Sequence, residues 1–289
     1  MHNILSNQNK SENILRLAAQ RQIYKEAKQF FIFQLAITVP LTIIFSFLKM
    51  VPKDTLGFDI VSIAAFFGAM ISIADILISY LLISEFKSKA AKIQEEFDCN
   101  VYEMEWDKIS VGKKPSPGEI NKFGNKYKPI PGSKLEDWYP NEIAAFSKEK
   151  AIYTCQKTNI HYDRTLRDKF VRSSILVSAG LLAIIFIGAI VSNPSLDNFI
   201  SQIFFPFLPI LIITLKIFFD HRKSIRATND LHGTITGLNE GGSNLTMTQL
   251  RCVQTNIFNN RKDSPLVPDF FYNKKRNKLE IDMHINARA

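Results

Sequence analysis

A single carboxylate interrupts the apolar stretch VSIAAFFGAMISIADILISYLLI, which runs from Val61 to Ile83. This residue is Asp75. A carboxylate near the middle of a bilayer costs about 2.5–3.5 kcal/mol on insertion scales, so it should face a cavity, water or a partner. Gly68, Ser72 and Ser79 lie at helical steps of three and four residues from it, on the same face. The spacing predicts one small and polar face on an otherwise apolar helix.

Polar residues also occur in two other apolar stretches. The stretch Phe30–Leu48 contains Gln34 and Thr38, and the stretch Phe199–Phe219 contains Gln202, Pro206 and Pro209. One interpretation is close helix packing, in which the buried acid is hydrogen-bonded to a neighbour. The other is a polar path, within one chain or around the axis of an oligomer, where a ring of carboxylates favours cations. The two prolines are candidate gating hinges, because each removes a backbone hydrogen bond from a helix.

Four apolar segments approach the length of about 20 residues that a helix needs to cross a bilayer. These predicted spans are Phe30–Leu48, Ile60–Ile83, Ser173–Ser192 and Phe199–Phe219. A soluble domain scatters its apolar residues at a period of 2 or 3.6 instead. We therefore expect four transmembrane helices.

The distribution of Lys and Arg predicts the orientation of these spans. Five basic residues lie in the first 29 residues, 17 in residues 84–172 and 11 after residue 219, whereas the two short links carry two and none. Because cytoplasmic loops carry the excess of Lys and Arg, both termini and the middle segment should face the cytosol. We predict a mainly α multi-pass membrane protein with a cytosolic N-terminal helix (1–29), a first hairpin (30–83), a cytosolic insert (84–172), a second hairpin (173–219) and a cytosolic helical tail (220–289).

Three local patterns refine this architecture. The six residues VYEMEW, from Val101 to Trp106, alternate in a way that predicts a half-buried strand, so the insert should be a small α+β unit within helical surroundings. The N-terminal helix should run straight into the first span. The helix that follows DWYP should likewise continue unbroken into the third span.

Motifs of known enzymes are absent from the sequence. It has no Walker loop, no GxGxxG, no HExxH and no GxSxG, and its three cysteines and five histidines are dispersed. Asp163 with Arg167 and Arg164 with Asp168 are separated by four residues, as in ordinary helical ion pairs. We expect no catalytic residue, no metal site and no cofactor.

Several motifs occur in a fixed order around the two hairpins. RQIYKEAK precedes the first span, KIQEEFDCNVYEMEW follows the second, and DWYP, CQKTNIHYDRTLRDK and PLVPDFFY come later. In these motifs and over its whole length the chain resembles the SMODS-associated four-transmembrane effectors of bacterial CBASS anti-phage systems. The resemblance implies a pore-forming homo-oligomer. It also implies that the protein binds a cyclic oligonucleotide, made by a nucleotidyltransferase, and permeabilises the lipid bilayer in abortive infection.

The resemblance carries no ligand-binding residues with it, so candidates come from chemistry alone. A cyclic oligonucleotide needs cations for its phosphates and flat side chains for its bases. Residues of these types in the insert are Trp106, Trp138, Tyr139, Tyr162, Arg164, Arg167 and Arg172. The alternative is that the aromatic residues belong to the core and that the arginines contact anionic lipid headgroups. No nucleic-acid-binding fold is indicated, so neither DNA nor RNA is expected as a partner.

Two other functions fit the same sequence. A constitutive small ion channel or transporter needs no ligand. A membrane-anchored signalling scaffold uses its spans only as anchors and recruits a protein partner through its cytosolic part. The polar face around Asp75 argues mildly against the scaffold, because an anchor has little need of it.

Overall fold

The computed structural model describes residues 2–48, 57, 60–129, 135–192, 195–200, 204–240 and 245–288. Within these ranges the chain is mainly helical and contains no β-strand. In chain order the α-helices are α1 (Ile4–Gln8), α2 (Ser11–Leu48), α3 (Ile60–Leu77), α4 (Ser84–Tyr102), α5 (Pro117–Lys126), α6 (Lys148–Ser192), α7 (Leu196–Phe199), α8 (Phe205–Glu240), α9 (Met247–Asp263) and α10 (Asp269–Arg288). A π-helix (Ile78–Ile83) joins α3 to α4, and a 3₁₀-helix (Asn141–Ala145) precedes α6.

Two very long helices dominate the fold. Helix α2 has 38 residues and α6 has 45, so at 1.5 Å per residue α6 is about 70 Å long. Each combines a polar N-terminal part with an apolar C-terminal part, and neither is interrupted at the boundary between them. The expected continuity of the N-terminal helix with the first predicted span, and of the post-DWYP helix with the third, is confirmed.

The predicted strand over VYEMEW is wrong. Helix α4 continues to Tyr102, and Glu103 then adopts a left-handed conformation with φ of 52°. The N–H of Met104 donates to the carbonyl of Cys99 at 2.8 Å, a bond typical of a helix C-terminus. Val101 and Tyr102 are neighbours and both are buried, which a half-exposed strand does not allow. No α+β unit is present among the described residues of the insert.

One hydrophobic core joins the N-terminal helices, the insert and the tail. Its members are buried side chains from α1, α2, α4, α6, α8 and α9, among them Ile4, Leu17, Phe97, Tyr102, Ile152, Ile235, Leu250 and Ile257. The three segments that the sequence separates into an arm, an insert and a tail therefore fold together.

A buried ionic network crosses this core between α4 and α9. Glu95 and Asp98 are 0% and 1% exposed. Arg251 pairs with Glu95 at 2.5 Å, Arg261 pairs with Asp98 at 2.5 Å, and the amide of Gln254 donates to both carboxylates. Burial raises the pKa of Glu95 because it penalises the charged form, and the nearby Arg251 opposes that shift. Charges removed from water this completely stabilise the fold only while they stay paired.

Helix α9 presents the partners of Glu95 and Asp98 on one side, and a capping box fixes its first turn. Thr246 and Gln249 form a capping box, in which the Thr246 hydroxyl accepts from the Gln249 N–H and the Gln249 side chain accepts from the Thr246 N–H. With the first turn fixed, Arg251, Gln254 and Arg261 share the face that meets α4.

The four predicted spans fall on α2, on α3 with the π-helix, on the second half of α6, and on α7 with α8. Among the described residues, no helix combines the length and the apolar character that crossing a bilayer requires. Large apolar side chains are exposed along α3 and α6, including Phe66, Phe67, Ile73, Ile76, Leu176, Ile184 and Ile187. Exposed apolar surface of this extent is typical of a region that contacts another molecule or lipid.

The buried network yields a prediction about stability. Replacing Arg251 with Met leaves Glu95 buried without its cation, which should cost about 3–5 kcal/mol of folding free energy. We expect the melting temperature of the purified protein to fall by on the order of 10 °C. Arg172→Met is the matched control, because the Arg172 side chain is 76% exposed and pairs with Asp168 on the surface, where such pairs contribute at most about 1 kcal/mol. Equal melting temperatures for the two variants would contradict the role of the network.

Candidate functional site

A cavity of ≈ 280 Å³ lies among α2, α4, α6, α9 and the N-terminal part of α10. Helix α2 contributes residues 17, 20, 21, 24, 25 and 28, and α6 contributes residues 159, 160, 162, 163, 166 and 167. Steps of three and four residues place each set on one face of its helix. The same helices contain the first and third predicted spans further along their length. The cavity is therefore built on the two longest helices of the protein.

The walls of the cavity are positively charged. The described residues that line it include seven cationic side chains, Arg21, Lys25, Lys28, Lys128, Arg167, Arg261 and Arg276, and three carboxylates, Asp98, Asp163 and Asp269. Each carboxylate pairs with one cation: Asp98 with Arg261 at 2.5 Å, Asp163 with Arg167 at 2.7 Å and Asp269 with Lys28 at 2.6 Å. Cationic side chains therefore outnumber carboxylates by seven to three in the described lining, a balance that suits an anionic ligand.

Aromatic rings follow one another along the cavity wall. The centroids of Trp138 and Tyr162 are 6.1 Å apart, and those of Tyr162 and Tyr272 are 6.5 Å apart. The Arg21 guanidinium lies 5.8 Å from the centre of the Trp138 ring, and the Lys28 ammonium lies 5.5 Å from the centre of the Tyr272 ring. Each end of the aromatic row thus carries a cation over a ring face. Flat ligand groups could stack on such surfaces while their charges meet the cations.

A partly buried phenol, that of Tyr24, lies in the wall on the α2 side. Burial raises the pKa of Tyr24 to about 12, although the positive charges of Arg261 and Arg167 act in the opposite direction. Tyr24 is therefore neutral at physiological pH, and its hydroxyl can both donate and accept a hydrogen bond.

The structure brings together three of the seven residues that the sequence nominated for ligand binding. Trp138, Tyr162 and Arg167 line the cavity. Trp106 does not: its indole N–H donates to the Gly112 carbonyl at 2.8 Å, and its ring packs against a small core cluster. Tyr139 is also outside, because it is buried and its hydroxyl donates to Asp98 at 3.0 Å.

The remaining two nominated arginines lie on α6 outside the cavity lining. Arg172 pairs with Asp168 at 2.7 Å on the surface. Arg164 is half-buried, and its charge adds to the effect of burial in lowering the pKa of His161 and His232.

The cations of α2 were missed as site residues. Arg21, Lys25 and Lys28 were used only in the Lys and Arg counts that predict the orientation of the spans. Arg261, Arg276 and Tyr272 of the tail were not among the nominated residues. Arg21, Tyr24, Lys25 and Lys28 follow one another at steps of three, one and three residues, a pattern that places an aromatic ring among cations on one helix face. This pattern could have identified α2 as part of a ligand-binding site from the sequence.

Two of the nominated pore-lining residues contact each other within the chain. Gln34 of α2 is buried, and its amide nitrogen donates to the Ser79 hydroxyl of the π-helix at 3.0 Å. The Ser79 hydroxyl is also placed to donate to the Gln34 amide oxygen at 3.3 Å. This pair fits the interpretation as interhelical packing. Gly68 is exposed on α3.

The other pore and hinge candidates are described less completely. Gln202 lies outside the described residues. Thr38, Ser72, Asp75, Pro206 and Pro209 have a described helical backbone, but their side chains lie outside the description. Both prolines are among the first five residues of α8, close to the helix N-terminus, where proline is best tolerated. A proline there need not bend the helix, so the hinge role stays a prediction.

Comparisons with known proteins cover the whole chain. The family model described as SMODS-associating 4TM effector domain matches residues 2–289. A relative from Bacillus cereus strain VD146, named a probable CBASS effector molecule, is 27% identical over 292 aligned residues, which cover 99% of this chain and 97% of the relative. No solved structure matches the chain. The matched region includes every residue of the cavity and all four predicted spans.

A buried histidine behind the cavity predicts sensitivity to acid. His221 of α8 packs edge-on against Phe170, with ring centres 5.0 Å apart. Its pKa is lowered to about 3, mainly by burial and then by the charge of Arg167, with Asp163 opposing. The unfolded histidine binds a proton near pH 6.5, so the stability present above pH 6.5 should be lost as the pH falls towards 3.

Between pH 7.5 and pH 5 this linkage amounts to about 2 kcal/mol. We expect the melting temperature of the wild type to fall more steeply over that range than that of His221→Leu. The same pH dependence in both proteins would show that His221 is not the group responsible.

Proposed function

The chain belongs to the family of SMODS-associating 4TM effector domains, and on that premise we propose that it is a CBASS effector that acts in abortive anti-phage defence. In this proposal a nucleotidyltransferase makes a cyclic oligonucleotide on infection, and the cavity binds it. The bound protein, as a homo-oligomer, then permeabilises the bacterial inner membrane and stops the infected cell. The proposal assigns no reaction to the protein.

The chemistry of the cavity carries the proposal. A cyclic oligonucleotide has one negative phosphodiester per nucleotide and flat bases around its ring. Cationic side chains outnumber carboxylates by seven to three in the described lining of the cavity, and the cavity offers the aromatic row of Trp138, Tyr162 and Tyr272. Cations recognise phosphates and aromatic faces stack on bases, so both parts of the ligand find a partner.

The membrane part of the proposal is a four-span topology in two hairpins, residues 30–83 and 173–219, with residues 1–29, 84–172 and 220–289 in the cytosol. The description of the family as 4TM supports it. The excess of Lys and Arg in the three cytosolic segments supports the orientation. The exposed apolar side chains of α3 and α6 are suited to contact with lipid.

Helix continuity offers a route from the cavity to the membrane. Lys28 lies two residues before the first predicted span on α2, and Arg167 lies six residues before the third on α6. Six helical residues extend for only about 9 Å. A ligand that draws α2 and α6 towards each other in the cavity would move the predicted spans with them, and the population of an open state would rise.

The two tryptophans of the chain provide a matched test of ligand binding. Trp138 lines the cavity and Trp106 does not. We expect Trp138→Leu to weaken the binding of the cognate cyclic nucleotide about 5- to 150-fold, the loss that corresponds to about 1–3 kcal/mol of stacking per base. Trp106→Leu should bind as the wild type does.

Binding can be followed by titrating a panel of cyclic di-AMP, cyclic di-GMP, cyclic GMP–AMP and cyclic triadenylate into the purified protein. In Trp106→Leu, quenching of the intrinsic fluorescence reports on Trp138 alone, and isothermal titration calorimetry measures the affinity of the wild type and of both variants. Equal losses in the two variants would place the ligand elsewhere. If no member of the panel is bound, the release of dye from proteoliposomes decides between the alternatives: ligand-independent release indicates a constitutive channel, and no release indicates a scaffold.

Substitution of Asp75, the acid in the second predicted span, tests whether this span lines a pore. If Asp75 faces a conducting path, Asp75→Asn should change the cation permeability of proteoliposomes and the toxicity in cells, while cyclic nucleotide binding stays intact. The control is Asp197→Asn, at an exposed aspartate in the short link of the second hairpin. Wild-type permeability and toxicity in Asp75→Asn would remove that residue from the pore.

A further inference from the structure

A short segment that joins α9 to α10 and includes the first turn of α10 touches both the cavity and the bases of the predicted spans. This connecting segment, Pro265–Tyr272, has the sequence PLVPDFFY. Leu266 packs with Ala27 of α2 and Ile83 of the π-helix in one cluster. Val267 and Phe271 pack against α6 in another cluster, which includes Leu166 and Phe170. The connecting segment therefore ties together three helices at the level where the predicted spans begin.

Two polar contacts attach the connecting segment to cations of the cavity. The Lys28 ammonium donates to the Asp269 carboxylate at 2.6 Å, and an Arg167 guanidinium nitrogen donates to the Pro265 carbonyl at 2.6 Å. Asp269 is the first residue of α10, and the ring of Tyr272 lies under the same ammonium. Lys28 is thus the point at which α2 holds the N-terminus of α10.

The described lining of the cavity contains three ion pairs. Only in the Lys28–Asp269 pair can an anionic ligand replace the carboxylate and thereby separate two helices. Asp98 is held in the core by Gln254 and Tyr139 as well as by its arginine, so it cannot leave. Asp163 and Arg167 are on the same helix, so breaking their pair moves no helix relative to another.

Asp269 differs from both of these carboxylates. Its side chain is 40% exposed, whereas that of Lys28 is 15% exposed. The carboxylate can therefore turn towards water while the ammonium stays in the cavity wall. Because the pair joins α2 to α10, its loss also separates two elements of the fold.

We propose that Lys28 binds a phosphate of the ligand in place of Asp269, so that ligand binding breaks the link between α2 and α10 and loosens the connecting segment. This inference rests on the proposed function and specifies how its site is regulated. The Lys28–Asp269 pair restrains the effector, and the ligand removes the restraint by competing for the same ammonium. The packing of Leu266 on Ala27 and Ile83 is then free to rearrange where two predicted spans meet the cytosolic domain.

Two variants separate this exchange from an ordinary stabilising ion pair. Asp269→Asn removes the competitor and keeps the cation, so it should bind the cognate cyclic nucleotide about fivefold or more tightly than the wild type, because the ligand no longer has to displace a carboxylate. Lys28→Met removes the phosphate ligand and should bind at least tenfold more weakly. If the pair had a merely structural role, both variants would lose affinity.

Hydrogen exchange measures the restraint without any nucleotide. In the full-length protein in detergent, amides of residues 269–276 should exchange about tenfold faster in both Asp269→Asn and Lys28→Met than in the wild type. The matched control is Asp168→Asn. Its side chain is 34% exposed and its 2.7 Å pair with Arg172 lies within α6, so both exchange and affinity should stay at wild-type values.

The outcomes distinguish this inference from the proposed function. If the wild type binds the ligand and Asp269→Asn binds it no more tightly, the ligand does not replace Asp269 on Lys28. The cavity then remains the proposed ligand site. A wild type that binds no member of the cyclic nucleotide panel overturns the proposed function. In that case hydrogen exchange alone tests whether the Lys28–Asp269 pair restrains α10. Wild-type exchange rates in both variants would show that it does not.

Discussion

The fold depends on keeping the Asp98 carboxylate paired inside the core. This carboxylate accepts from Arg261 and Gln254 of α9 and from Tyr139 in the segment before α6, and it lies on α4 beneath the cavity. Burying an unpaired carboxylate costs several kcal/mol, so these donors have to be present together. Their presence fixes α9 against α4 and places Arg261 in the cavity wall. The same interaction therefore holds the core together and gives the cavity part of its charge.

Long helices connect this rigid core to the apolar regions of the chain. Helices α2 and α6 each supply one face to the cavity and then continue through an apolar sequence. A ligand held between them acts on both apolar regions at once. The connecting segment is packed at the junction, where Leu266 touches Ala27 and Ile83. In the proposed function, sensing and membrane action therefore lie on the same helices.

The sequence predicted the elements of this structure better than it predicted the site. Continuous helical patterns predicted that α2 and α6 run unbroken, because a long periodic segment has few alternatives. The strand over VYEMEW was wrong, because six alternating residues also fit the last turn of a helix and its cap. Glu95 and Asp98 look like solvent-facing charges in KIQEEFD, and their partners on α9 lie 156–163 residues away. The cavity was hidden for the same reason: Arg21, Arg167 and Arg276 meet only after α2, α6 and α10 have packed.

Photochemical labelling of the cavity is the most direct test of its role. The purified protein would be irradiated with a cyclic dinucleotide that carries an azido-substituted adenine, and the labelled peptides would be mapped by mass spectrometry. The account predicts labels on the peptides that contain Trp138, Tyr162 and Tyr272, and it predicts that unmodified nucleotide competes with the label. Labels confined to the peptide of Trp106 or to the exposed face around Arg172 would contradict it.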